Sequence, residues 1–165
     1  MKPTPETRLF EDDGAIPNSR HPVLIYWGAL EPEEADGFED LFARNGWTGA
    51  WRGGIFPYHH YHSTAHEVLG VAAGSAKVRV GGEGGETFRL SAGDVVVLPA
   101  GTGHKCLSAS GDFEIVGAYD RGRDWDVLRG APGDRPKADE NIARVPTPER
   151  DPVNGRGGAE ELWRG

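Results

Sequence analysis

Apolar and polar residues alternate with a period of two through much of the centre of the chain, the spacing of half-buried strands rather than of helices. Ala76-Lys77-Val78-Arg79-Val80 alternates, Gly81-Gly82-Glu83-Gly84-Gly85 makes a turn, and Glu86-Thr87-Phe88-Arg89-Leu90 alternates again. This stretch reads as a β-hairpin. Asp94 to Leu98 is apolar after its first residue, as is Val23-Leu24-Ile25-Tyr26-Trp27. Such unbroken runs suit strands buried on both faces. Phe113 to Tyr119 supplies another strand. One helix is predicted, from Pro32 to Asn45. Proline suits its first turn, Glu31, Glu33 and Glu34 complement the positive end of its dipole, and Gly46 is placed to end it. Phe38, Leu41 and Phe42 form its apolar face, directed at the outside of a barrel.

The chain reads as one domain over residues 1–165, with an N-terminal arm at 1–22, a barrel core at 47–120 and a wrapping tail at 121–165. The arm is polar and proline-bearing, with Leu9, Phe10 and Ile16 as its apolar anchors. The tail is rich in proline and charge, and Trp125, Leu128, Ile142, Val145 and Trp163 would tie it down. With 25 glycines and 12 prolines, the composition fits many turns between short strands. A sheet closed on itself protects its edges and can hold one small ligand, so the expected class is mainly β, a barrel with one N-terminal helix and an irregular C-terminal tail.

Charge and cysteine content narrow the setting. A formal charge of −8 argues against nucleic acid, whose binding needs lysine and arginine to displace counterions, and against an anionic membrane surface. Cys106 is the sole cysteine, so no internal disulfide can form and a reducing compartment is the natural setting. The first residues lack the apolar run of a signal peptide. A soluble, cytoplasmic protein is the expectation.

The chemistry lies in two strings. Gly54 to Gly74 reads GxxxxxHxHxxxxExxxxxxG, and Gly93 to His104 reads GxxxxxPxGxxH. Together they offer three imidazoles and a carboxylate, a set that suits a divalent iron, manganese, nickel, zinc or copper ion. On a six-coordinate ion these donors leave up to two positions for a substrate. The strings resemble the paired motifs of the cupin superfamily. Further runs, including Asn45 to Gly70, Leu98 to Lys105, Val116 to Tyr119 and Asp151 to Gly155, are similar to its YjlB-type branch of single-domain cupins. The resemblance implies a double-stranded β-helix, or jelly roll, and carries the ligand roles onto His60, His62, Glu67 and His104. It departs at Ser108, where the second motif usually ends in asparagine, a position that shapes the barrel rim.

Strand parity leaves one choice open. His60 and His62 share a face, and on an unbroken strand His66 would join them while Glu67 pointed away. Glu67 reaches the site only if Ser63-Thr64-Ala65 breaks the strand, which its hydroxyls favour; the resemblance prefers that break, with Glu67 opening a new strand through Val71. His59 and His66 are candidates for outer hydrogen-bond partners or for rim positions. Trp47, Trp51 and Arg52 could line the mouth and meet an anionic substrate, or pack between helix and barrel. Cys106 shares the parity of His104, placing it near the metal or in the core. The glycines from Gly81 to Gly85 lack the features of a phosphate loop and read as a turn.

Two functions follow from the resemblance: a small-molecule metalloenzyme of dioxygenase or isomerase type, or a non-catalytic sensor or carrier of a metabolite or metal. A proton-transfer group in the cavity would separate them, and Tyr58, Tyr61 and His66 are the nearest candidates in sequence. Apolar residues in the first strand and the tail could serve a two-fold interface.

Overall fold

The computed structural model describes residues 2–164. Strands β1 (Glu6–Arg8), β2 (Val23–Tyr26), β3 (Trp47–Gly53), β4 (Glu67–Ala73), β7 (Val95–Leu98) and β9 (Glu114–Asp120) form a six-stranded sheet in the order β1-β2-β7-β4-β9-β3. Strands β5 (Ser75–Val80), β6 (Glu86–Ser91) and β8 (His104–Ala109) form a second sheet in the order β6-β5-β8. Every pairing is antiparallel. The predicted hairpin is β5 and β6, joined across the glycine-rich turn.

Alternation along the larger sheet sorts its side chains into two cores. Val23 and Ile25, Val96 and Leu98, Leu69 and Val71, and Ile115 point to the inside of the jelly roll, where they meet Ala76, Val78, Val80, Phe88 and Leu90 of the smaller sheet. Leu24 and Tyr26, Val95 and Val97, Val68, and Val116 and Ala118 point the other way, against Phe38, Phe42, Trp47 and Trp163. This explains why β2 and β7 read as unbroken apolar runs: both faces are buried. Gly70 faces the second core. A Cβ there would come within 2.7 Å of the Phe38 ring, so the glycine sets how closely the helix approaches the sheet.

The predicted helix is two elements. Pro32–Gly37 is a 3-10 helix, and the α-helix α1 begins only at Phe38 and ends at Arg44. Gly37, weak in a helix interior, marks the junction. The N-terminal arm begins as a strand, because β1 pairs with the edge of β2. The tail is irregular over most of its length and carries two short helices, α2 (Lys137–Arg144) and α3 (Ala159–Leu162). Trp163, fully buried, anchors its end and donates from Nε1 to the Pro22 carbonyl at 2.7 Å. Among the described residues, no helix is long and apolar enough to cross a membrane.

Candidate metal centre

The two histidine strings meet at the rim of the smaller sheet. Residues 56 to 62 run antiparallel to residues 101 to 106 as an irregular extra strand: His60 and His104 exchange both backbone hydrogen bonds, at 3.2 and 2.9 Å, and Cys106 N–H donates to the Phe56 carbonyl at 2.9 Å. This pairing brings His60 and His104 side by side, and the two-residue repeat puts His62 on the same face. One ring nitrogen from each of the three lies within 4.8 Å of those of the other two. On the far edge of the same segment, Tyr61 exchanges backbone bonds with Leu128 of the tail, at 2.8 and 2.9 Å.

The strand then breaks where the sequence suggested. Ser63 and Thr64 form a bend, and their hydroxyls bond to the tail rather than to local backbone. Ser63 Oγ–H donates to Asp126 Oδ2 at 2.5 Å, Ser63 N–H donates to Asp126 Oδ1 at 2.7 Å, and Thr64 Oγ1–H donates to the Asp124 carbonyl at 3.1 Å. Beyond the break, β4 opens at Glu67 with the parity of Leu69 and Val71, so its carboxylate points inside the barrel. Its Oε1 lies 3.2 Å from His62 Nε2 and 3.4 Å from His104 Nε2. His66 takes the opposite parity. Its ring packs on Trp163 at 4.8 Å between centroids, accepts the Ala100 N–H at Nδ1 (2.9 Å) and donates from Nε2 to the Pro146 carbonyl (3.2 Å). It braces the turn before His104 from the far side of the sheet.

The imidazole orientations are fixed by carbonyls. His60 Nδ1 lies 3.1 Å from the Tyr58 carbonyl, His104 Nδ1 lies 3.1 Å from the Thr102 carbonyl, and His62 Nδ1 lies 2.5 Å from the Asp126 carbonyl. A carbonyl only accepts, so each Nδ1 carries the proton and each Nε2 presents a lone pair. The three rings thus cluster with one nitrogen each within 4.8 Å of the others, beside the buried Glu67 carboxylate. Such a cluster is stable only with a proton or a cation among the donors.

Electrostatics agree with that reading. Burial, with His104 alongside, pushes His60 down to about 3. Burial also pulls on His62, but the charge of Glu67 and its hydrogen bond outweigh this and raise it. Burial would raise Glu67, yet the neighbouring His62 and His104 hold its carboxyl well below the usual range. Away from the cluster, burial pushes His66 down to about 3 and keeps it neutral.

The nitrogens open onto a cavity of about 360 Å³. It is lined by Trp51, Ile55, Phe56, Leu69, Ile115 and Trp125, together with Glu67 and Tyr119. Tyr119, on β9, sits directly opposite Glu67 of β4 and donates to its Oε2 at 2.7 Å, while Trp51 Nε1–H donates to the Tyr119 oxygen at 2.9 Å. Burial, followed by the Glu67 charge, raises the Tyr119 phenol far above its ordinary value. Gly117 makes room for Trp51, because a Cβ there would lie 2.5 Å from the indole.

Other sequence candidates lie elsewhere. Trp47 is in the outer core and bonds the Arg150 carbonyl. Arg52 faces outward, bound to Asp36, Glu39 and Glu114, and so does not reach the cavity. Tyr58 and Tyr61 are not among the cavity-lining residues, and Tyr61 packs with Ile16 and Ala138. His59 pairs with Glu83 at 2.6 Å on the outside. Cys106 sits at the edge of the inner core, its Sγ–H directed at the Ser108 carbonyl at 3.5 Å. Sequence reasoning missed Tyr119 and Asp126 as partners of the cluster. Both depend on strand register or tail path, which local spacing does not encode.

The family model described as Cupin domain matches residues 50–116. The chain is 41% identical, over 99% of both chains, to the uncharacterized protein YjlB of Bacillus subtilis (strain 168). Among solved structures, it is similar to acireductone dioxygenase from Bacillus anthracis, solved with a cadmium ion in its active centre, at 18% identity and a TM-score of 0.41, covering 61% of this chain and 78% of that one. It is also similar to a Bacillus subtilis oxalate decarboxylase OxdC mutant, at 18% identity and a TM-score of 0.42, covering 69% of this chain and 29% of that one. A third likeness is to procruciferin of Brassica napus, at 20% identity and a TM-score of 0.41, covering 50% of this chain and 22% of the globulin.

Proposed function

Because the chain belongs to the cupin family, in its YjlB-type branch, we propose that it holds a divalent transition metal and acts on a small oxygenated molecule. The ligands are the Nε2 atoms of His60, His62 and His104 with the Glu67 carboxylate. One observation carries the reading: three imidazoles, each with its Nδ1–H spent on a carbonyl, bring one ring nitrogen apiece within 4.8 Å of one another beside a buried carboxylate. Glu67 lies close to two of the three nitrogens.

When bound, the metal supplies Lewis-acid or redox chemistry to an oxygen-bearing substrate. The chain's own contribution is to orient the ligands, exclude water with apolar walls and hold the Glu67 charge through Tyr119. The reaction type we favour is oxidation or isomerisation. A second reading, a non-catalytic sensor or carrier, is favoured by one observation. The titratable side chains lining the cavity are the four donors and Tyr119, whose raised phenol is a poor proton donor at neutral pH.

Elemental analysis of protein purified without oxygen, with melting curves before and after chelation, tests the site. Metal at one equivalent and a melting temperature lowered by chelator are expected. Metal-free protein that binds none of iron, manganese, nickel, zinc or copper on dialysis sinks the reading. Iron points to oxygen chemistry; zinc or nickel shifts weight toward isomerase or binder.

A further inference from the structure

We infer that the cavity selects a neutral or singly charged chelator, with two neighbouring oxygens on a flat apolar body, and discriminates against compact dianions. The inference rests on the metal-binding reading above and adds the class of ligand.

The walls carry the first half of the argument. Trp51, Ile55, Phe56, Leu69, Ile115 and Trp125 line the same cavity as the four proposed ligands. Trp125 stacks on Tyr119 with centroids 5.3 Å apart and planes 17° from parallel, and it meets the His62 ring edge-on at 5.4 Å. A flat ring entering here finds aromatic and branched aliphatic partners on several sides. The volume of about 360 Å³ suits a small ring with a chelating group.

Charge carries the second half. Among the described residues, no lysine or arginine lines the cavity. Arg52, the nearest in sequence to its wall, is held outside by three carboxylates, and Arg129 lies over the Tyr58 ring at 3.6 Å. A divalent cation with three neutral imidazoles and one carboxylate leaves a single positive charge. A monoanion neutralises it. A dianion would leave a net negative charge against apolar walls, with no cationic side chain to receive it.

Three probes separate these features: benzohydroxamate, acetohydroxamate and oxalate. The two hydroxamates share one chelating group and differ in ring against methyl, and oxalate is a compact dianion. Protein is loaded with zinc by dialysis, its metal content is measured before and after, and each probe is titrated calorimetrically. Each affinity is then divided by that probe's affinity for aqueous zinc. Benzohydroxamate should exceed acetohydroxamate by about tenfold or more, the effect expected of a buried ring. Oxalate should rank last. Trp125→Ala should remove most of the ring preference, and Ile55→Arg should raise the standing of oxalate. If zinc loads and the ring makes no difference, or if oxalate ranks first, the inference is overturned while the metal reading stands. If no zinc loads, both fall.

Discussion

Tyr119 and Glu67 face each other across the β4–β9 ladder, and the phenol donates to the carboxylate at 2.7 Å with both side chains buried. The bond fixes which oxygen of Glu67 is turned to the histidines, since Oε2 is occupied and Oε1 is left facing His62 and His104. Tyr119→Phe removes the donor and leaves a buried carboxylate oxygen unpaired. We expect a loss of about 1–3 kcal/mol in unfolding free energy, measured by urea denaturation of metal-free protein. Metal affinity should fall by about tenfold or more, because a ligating carboxylate depends on its outer partner. An unchanged metal affinity would show that Tyr119 only packs.

Glu67 and His66 are adjacent in sequence and lie on opposite sides of the sheet, so their substitutions should separate cleanly. Glu67→Gln should lower bound metal sharply, as the charge is lost at the cluster. His66→Ala should leave metal content nearly intact while costing about 1–3 kcal/mol, because Ala100 N–H loses its acceptor and the packing on Trp163 is cut. Elemental analysis of both variants decides it. The reverse ranking would reassign the ligand.

That pair also shows how much the sequence disclosed. Strands at Val23–Tyr26, Ser75–Val80, Glu86–Ser91, Val95–Leu98 and Glu114–Asp120 were legible because alternation or unbroken apolarity maps directly onto one or two buried faces. The break at Ser63 and Thr64 was legible from hydroxyl chemistry, although the partner that stabilises it, Asp126, was not. A three-residue edge strand such as β1 has no pattern of its own, since its register is imposed by β2. Helices α2 and α3 are short and lie among prolines and charges; α2 offers only Ala138 and Ile142, four residues apart, as an apolar face, and α3 buries Ala159, too little for a periodic pattern to stand out. Tyr119 could be read as a strand residue but not as a partner of Glu67. Opposition across a ladder is a property of two distant segments, not of spacing within either.

Asp120 gives a prediction about pH. It is buried at the end of β9, its Oδ2 has no hydrogen-bond partner, and burial raises its carboxyl to about 6. Ordinary aspartate titrates near about 4 in the unfolded chain. Between those values the folded protein binds more protons than the unfolded one, so stability falls as pH rises through this window and the ionised form is a liability at neutral pH. Asp120→Asn should therefore raise unfolding free energy at pH 7 by roughly 1–3 kcal/mol. The advantage should shrink below about pH 6 and level off near pH 4. Denaturation of both proteins across that range provides the check, and a pH-independent difference would refute it.

Asp126 joins the tail to the histidine cluster through both its carboxylate and its backbone. The carboxylate holds Ser63 at the strand break, and the carbonyl takes the His62 Nδ1–H. In Asp126→Ala the carbonyl survives but loses the anchor that fixes its position, so the His62 ring is freed to rotate. Metal affinity should drop by about tenfold, the scale expected for an outer partner of a ligating histidine. Asp126→Asn keeps one oxygen to accept the Ser63 N–H and loses the acceptor for its hydroxyl, which predicts an intermediate loss. Metal titration of the three proteins reads that order. If both variants melt earlier yet bind metal as tightly as the native chain, the tail is a strap for the fold alone and the orientation of His62 comes from the barrel.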